Sequence, residues 1–326
     1  MSDKLKKIVT NMKKVKIPFS KAKRILRGFS GAGKLRKAYA SAIPVAQSST
    51  RLDDSSPTSP SSPASPSSPV SPPPSPQKGT KTLELRNDMS NWNADGKGPR
   101  HHAGQEEITL TFPRGRWASR GGTNLKFSPK GFASSETVEL TYDVFVPKEF
   151  EFCKGGKIGV GMNIGGGTGG KDWDIDDGSF RLMWRRGGQL IGYVYLPQNM
   201  GKYQPENVNC PLLKAQPKEF IDAIGGRAPK AGLDVFRFTK QKMWLKKGQW
   251  NAIRMRAVMN DVGKSNGRLE IELNGARMET GITWRGKASD RFEQLQMANW
   301  FGGGDKSYSP QRDQTLKIRN VRVTFD

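Results

Sequence analysis

One stretch of alternating sequence carries a hydroxyl, a guanidinium and two phenols at spacings that could place them together. It runs Ser179-Phe-Arg-Leu-Met-Trp-Arg-Arg-Gly-Gly-Gln-Leu-Ile-Gly-Tyr-Val-Tyr195. Side chains in a strand alternate faces with a period of two. Phe180, Leu182 and Trp184 therefore share one face of a first strand, and Leu190, Val194 and Leu196 share one face of a second. The opposite face carries Ser179, Arg181 and Met183, answered by Gln189, Ile191, Tyr193 and Tyr195. A three-residue loop ending in glycine is a common hairpin connection, and Arg186-Gly187-Gly188 fits it. That loop pairs Arg185 with Gln189, Arg181 with Tyr193 and Ser179 with Tyr195. A two-residue turn would put Arg181 and Tyr193 on opposite faces, so the grouping depends on the loop.

A second candidate is Lys157, at the start of a strand in which Gly159 and Gly161 share its face while Ile158, Val160 and Met162 point away. Two glycines beside a lysine would lower the floor of a sheet where a ligand binds. On spacing alone, a surface lysine with glycines at a bend is the commoner arrangement. Other signals are weaker. Gly165-Gly-Gly-Thr-Gly-Gly-Lys171 begins like a phosphate-binding loop but continues with Asp172, and no helix pattern follows. Phosphate cradling needs that helix start, so a mobile loop is expected. Asp172, Asp174, Asp176 and Asp177 resemble a calcium loop with its glycine one residue late and no closing glutamate. No cofactor is expected, and a structural cation on Asp172, Asp174 and Asp176 is the lesser alternative to a solvated acidic loop.

The two histidines, His101 and His102, are adjacent, and the two cysteines, Cys153 and Cys210, are too few for a disulfide framework or a zinc site. The cysteines leave open one pairing or two thiols. Chemistry then falls to Tyr, Lys, Arg, Ser or carboxylates. Trp173, Trp184, Arg185, Arg186, Trp284, Arg285 and Trp300 have the chemistry to stack on sugars or bases, but Trp184 and Trp250 are expected in a core.

The elements that must position these groups read as β throughout from residue 82. Strands are expected over Ile108–Phe112, Thr137–Val146, Lys157–Met162, the hairpin, Trp250–Val258, Arg268–Leu273 and Leu316–Phe325, with a tight turn at Asn274-Gly275. Short strands punctuated by Gly, Pro and Asn predict an all-β fold, an antiparallel sandwich or jelly roll. A helical turn is expected over Lys218–Ala223, inside an insertion at about 197–235.

The 326 residues carry a net charge of +24, distributed unevenly. Residues 1–51 hold 14 lysines and arginines against Asp3 alone, while residues 82–326 hold 38 against 27 acids. Both parts should seek a polyanion. Three regions follow: a basic arm over 1–51, a Ser/Pro-rich linker over 52–81, and a folded domain over 82–326. In the arm, Leu5, Ile8, Met12 and Val15 fit a short amphipathic helix ending before Pro18. In the linker, residues 55–77 hold ten serines and nine prolines, six prolines recurring every third residue. That period suits polyproline II, a spacer of roughly 70 Å at ~3.1 Å per residue. Such an arm is a tether to an anionic surface. No membrane span and no secretory signal are expected, because no apolar run is long enough and the N-terminus lacks an apolar core.

From Lys157 to Tyr195, with Ser179-Phe-Arg181 and Tyr193-Val-Tyr195 at these spacings, the chain resembles polysaccharide lyase family 14, in particular its chlorovirus members that digest uronate-rich algal walls. The resemblance extends over about 82–326, including Trp-Phe-Gly-Gly-Gly304 and the Asn274-Gly275 turn. It implies a β-jelly roll, β-elimination on polyuronates, a virion-associated or host-expressed enzyme acting on the host wall, and a cleft holding Lys157, Ser179, Arg181, Tyr193 and Tyr195. Some members use a histidine in the loop before the hairpin; this chain has Trp173 in that region, so a histidine-dependent step is in doubt.

The residue types suit that chemistry. Elimination removes the proton at C5 beside a carboxylate, and that proton is weakly acidic while the carboxylate keeps its charge. Arg181, a permanent bidentate cation, and Lys157 would neutralise it. Tyrosine can serve as base or acid, and Ser179 fits an orienting partner, having no activating base. The alternatives are a non-catalytic jelly-roll lectin for acidic glycans and, on charge alone, a DNA-binding virion protein. No fingerprint of a nucleic-acid module is present, so specific nucleic-acid binding is not expected.

Overall fold

The computed structural model describes residues 79–94, 101–167, 177–197, 211–226, 232–303 and 305–326. The basic arm, nearly all of the linker, Asp172, Trp173, Asp174, Asp176 and Cys210 lie outside these residues. Strands form two antiparallel sheets within one compact unit, Ser75–Asp326. One sheet holds β1 (Lys81–Leu85), β2 (His101–Ala103), β3 (Ile108–Phe112), β5 (Thr137–Val146), β11 (Gln249–Val258), β12 (Gly267–Leu273), β13 (Ala276–Ile282) and β15 (Gln314–Phe325). Its order is β13-β12-β11-β5-β15-β3-β2, with β1 on the far half of β15. The other holds β4 (Thr123–Phe127), β6 (Gly155–Ile164), β7 (Gly178–Arg185), β8 (Gln189–Tyr195), β9 (Leu233–Val235), β10 (Met243–Trp244) and β14 (Phe292–Phe301). It runs β10-β8-β7-β6-β14-β4, and β9 pairs with β8. This is the jelly-roll sandwich expected from the sequence. Inside the insertion lie two short helices, α1 (Pro211–Lys214) and α2 (Lys218–Ala223), the second where the sequence puts it.

The sheets differ in how they meet water. On β5, Val138, Leu140, Tyr142, Val144 and Val146 are buried while the residues between them are half-exposed. That alternation marks a sheet with one wet face. Its outer side carries an ion-pair ladder in which the carboxylate of Glu270 bridges Arg254, Arg256 and Arg277. The seven-stranded sheet is covered on both faces at its centre: all ten residues of β6 are buried, as are all but the last of β7. Its inner face joins the core, where Trp184 meets Phe301 edge-on at 5.2 Å and its indole nitrogen donates to the Phe152 carbonyl at 2.8 Å. Trp284, one of the aromatics considered for sugar stacking, is core, and Arg285 is buried, donating to the Asn260 carbonyl at 2.8 Å.

Two expectations are corrected. Trp250 is half-buried on the outer face of its sheet, with the Arg319 guanidinium 3.9 Å from its ring. The inward phase of β11 is fixed by Asn251, Ile253, Met255 and Ala257, which leaves the even positions outside. Gly159 does not share the Lys157 face. The β6–β7 register slips by two residues between Ile158 and Met162. Gly159 takes φ +81°, and a Cβ there would lie 2.2 Å from the Tyr142 hydroxyl in the core. The bulge is pinned by buried Asn299, which accepts from the Gly159 amide at 2.6 Å and donates to its carbonyl at 3.1 Å. Gly159→Ala is therefore expected to destabilise the fold by about 1–3 kcal/mol, combining overpacking with a disfavoured backbone conformation. A thermal melt at wild-type Tm would show that Tyr142 yields its place.

Candidate active site

The hairpin forms with the loop the sequence predicts. Arg186–Gly188 makes a single tight turn in which Gly187 and Gly188 take φ +76° and +91°, values that favour glycine. The resulting register pairs Ser179 with Tyr195 and Arg181 with Tyr193. Lys157 on β6 stands opposite Met183 and so faces the same side. All five predicted residues are thus on the face of the seven-stranded sheet turned away from the core. They touch. Arg181 donates from Nη2 to Ser179 Oγ at 2.9 Å, fixing the guanidinium, and its Cζ lies 5.4 Å from the Tyr195 ring centre. The two phenol oxygens are 3.2 Å apart, and Lys157 Nζ is 4.1 Å from the Tyr193 ring centre.

These groups are polar and enclosed: Arg181 is 3% exposed, Lys157 7% and Ser179 fully buried. Burial makes charge costly. It holds the Lys157 amine well below the usual lysine range, and neighbouring Arg181 and Arg185 push the same way against the opposing pull of Asp234. Lys157 Nζ makes no hydrogen bond to any described residue, and burial disfavours its charged form within the site. For Tyr193, burial, the neighbouring Tyr195 and Asp234 all hold the phenol protonated well above its usual range, with Arg185 opposing. Burial lowers Arg181 from its ordinary value, but a guanidinium stays charged. An amine ready to accept a proton, a phenol that keeps one and a fixed cation are the parts of a proton-transfer site for an anionic substrate.

Residues 100–321 match the family description polysaccharide lyase 14. The chain belongs to that family. Exolysin of Paramecium bursaria Chlorella virus 1 is 24% identical over 240 residues, which cover 67% of this chain and 34% of exolysin. The chain thus matches about a third of the length of that relative. Two solved structures share the fold. The alginate lyase vAL-1 from Chlorella virus aligns with TM-score 0.57 and 21% identity over 76% of this chain and 99% of its own. The marine PL-14 alginate lyase from Aplysia kurodai aligns with TM-score 0.55 and 19% identity over 76% and 91%.

Around the five residues, this polysaccharide lyase 14 chain adds Arg185 and Trp300, both named from the sequence as candidates to stack on sugars, and Asp234, which the sequence reading did not name. Arg185 has its guanidinium 5.9 Å from the Tyr193 ring centre and is ion-paired with Asp234. Strand β9 pairs with β8 and sets Asp234 opposite Tyr193, while Arg237 holds the other Asp234 oxygen at 2.8 Å. The hairpin register read from the sequence pairs Arg185 with Gln189 and so puts it on this face; nothing local could have placed Asp234. Trp300 of β14 lies with its ring 5.5 Å from Lys157 Nζ. Asn163, opposite Ser179, is fully buried, and its amide makes no hydrogen bond to any described residue. Cys153 is half-buried and forms no disulfide among the described residues. Among the described residues no cluster of three or more His, Cys, Asp or Glu is placed to hold a metal ion, and no helix is long and apolar enough to cross a membrane.

Proposed function

We propose that the protein cleaves 4-linked polyuronates of the glucuronate or alginate type by β-elimination, and that it acts on the uronate-rich wall of an algal host. The observation that carries this reading is one cluster holding Lys157 Nζ against Tyr193, Tyr193 against Tyr195, and Arg181 fixed by Ser179. The names of the two solved relatives, both alginate lyases, and the chlorovirus source of exolysin and vAL-1 agree with it. Arg181 neutralises the carboxylate of the sugar being cleaved and stabilises the enolate-like charge that develops as C5 loses its proton. The neutral Lys157 amine accepts that proton. The C5 electron pair forms the C4–C5 double bond as the C4–O bond breaks. The Tyr193 phenol, its hydrogen-bond partner Tyr195 alongside, protonates the departing oxygen. Loss of the proton from the Lys157 ammonium to solvent, and uptake of one by the Tyr193 phenolate, restores the site. Products are a new hydroxyl end and an unsaturated uronate end. Purified protein on polyglucuronate and alginate should raise ultraviolet absorbance as unsaturated ends form; retention of both polymers without any absorbance change would leave only glycan binding.

The arm over 1–51 and linker over 52–81 give this reading a place of action: a basic tether to the anionic wall, carried by a virion-associated or host-expressed enzyme. Deleting residues 1–78 removes no strand of either sheet. Turnover of soluble oligosaccharides should stay within about two-fold, while activity on intact walls should fall at least ~10-fold as local concentration is lost. Equal wall digestion by both forms would show that the arm is not an adhesive.

A further inference from the structure

We propose that Trp244 and the cations around the β7–β8 turn form a distal subsite that holds the polyuronate chain beyond the point of cleavage. The proposal rests on the lyase reading for its substrate class. Strand β10 pairs with β8 so that Met243 stands opposite Leu190 and Trp244 opposite Gln189. Met243 and Leu190 are buried in the core. Trp244 therefore points to the face that carries Tyr193 and Tyr195, and it is 49% exposed. Its ring lies over the hairpin turn, where a Cβ on Gly187 would come within 3.3 Å of the indole. The ring is thus backed by a tight turn while half of the side chain stays open to solvent.

The surroundings select the ligand. Arg186, in the same turn, is an exposed cation. Between Trp244 and the phenols lie Arg185 and Arg237, bridged by Asp234, with Gln189 anchored on the Arg237 carbonyl at 3.0 Å. Of these two guanidinium side chains, Arg237 is 42% exposed. A cationic lane therefore runs from Tyr193 to an aromatic platform. From Tyr193 to Gln189 is about 13 Å at ~3.3 Å per residue, and β10 adds one strand spacing of ~4.8 Å. That reach covers a few sugar units of an extended chain. A polymer with a carboxylate on every sugar can track the guanidinium groups and lay a sugar face on Trp244.

The test compares full-length wild type, Trp244→Ala and Trp244→Phe on polyuronate and on oligomers too short to reach β10. Trp244→Ala should raise the ratio of polymer KM to short-oligomer KM about 10-fold, the loss of one good anchor, and Trp244→Phe should recover most of it. An unchanged ratio, or an equal rise in both KM values, overturns the subsite. If the wild type makes no unsaturated product from any polyuronate, the lyase reading fails on its own. Affinity electrophoresis in a polyuronate gel then decides the subsite: lost retardation in Trp244→Ala supports it, and unchanged retardation overturns it.

Discussion

Replacing Arg181 with alanine should lower kcat on polyuronate at least ~100-fold, the usual cost of one preorganised electrostatic partner. The guanidinium is 3% exposed and held by Ser179, so its direction is set before substrate arrives. In the proposed mechanism its role is neutralisation: without it, the carboxylate beside C5 keeps full charge and the proton there stays hard to remove. Arg181→Lys should remain severely impaired, because an ammonium loses both the fork and the bond to Ser179. Ser179→Ala should be milder than either, since it loosens the cation without deleting it. Near-wild-type kcat in Arg181→Ala or Arg181→Lys, with the fold intact by circular dichroism, removes Arg181 from the mechanism.

Lys157→Ala should cost on the order of 1,000-fold in kcat, within the range for loss of a general base. The pH profile carries the sharper test. In the proposed mechanism the active form is the free amine, so kcat/KM should rise with pH as Lys157 loses its proton. Burial, with Arg181 and Arg185 beside it, places that step well below the ordinary lysine value of 10.5. The rise should therefore begin far below the alkaline limb of an exposed lysine and then level off. Tyr193 stays protonated beyond the usual tyrosine range, so the plateau should persist past pH ~10, where an ordinary phenol ionises. Tyr193→Phe should lower the plateau while leaving the acid limb in place, because Lys157 still titrates. Stability follows the same sign: the unfolded chain binds the Lys157 proton more readily, so the fold loses stability as pH falls from the ordinary lysine value of 10.5 to the depressed folded value, and no further below it. A rise centred near 10.5, or a Lys157→Ala enzyme with an unchanged acid limb, would assign the base elsewhere.

The sequence by itself determined the hairpin and the side on which its polar groups stand. Arg186-Gly187-Gly188 is a local signal; once the loop length is fixed, the register of Ser179, Arg181, Tyr193 and Tyr195 follows from strand periodicity. The short α2 helix and the alternating strands β5, β11 and β15 were legible for the same reason, a local pattern facing one core. The β14 strand was not. Its ten residues include buried Gln296 and Asn299, because both faces of its sheet are covered, so the polar–apolar alternation that marks a strand is lost. Yet β14 supplies Trp300 beside Lys157 and the Asn299 that pins the bulge at Gly159. The bulge reverses the face of Gly159, a consequence of the Tyr142 ring on the opposite sheet and invisible in the run Lys157–Met162. The tertiary structure likewise decided Asp234, brought to Arg185 from 49 residues away because β9 adds to the edge of β8. The sequence could name a lysine and two tyrosines as candidates for proton transfer. Only packing separated them, since the depressed amine and the retained phenol proton both come from desolvation and from neighbours distant in the chain.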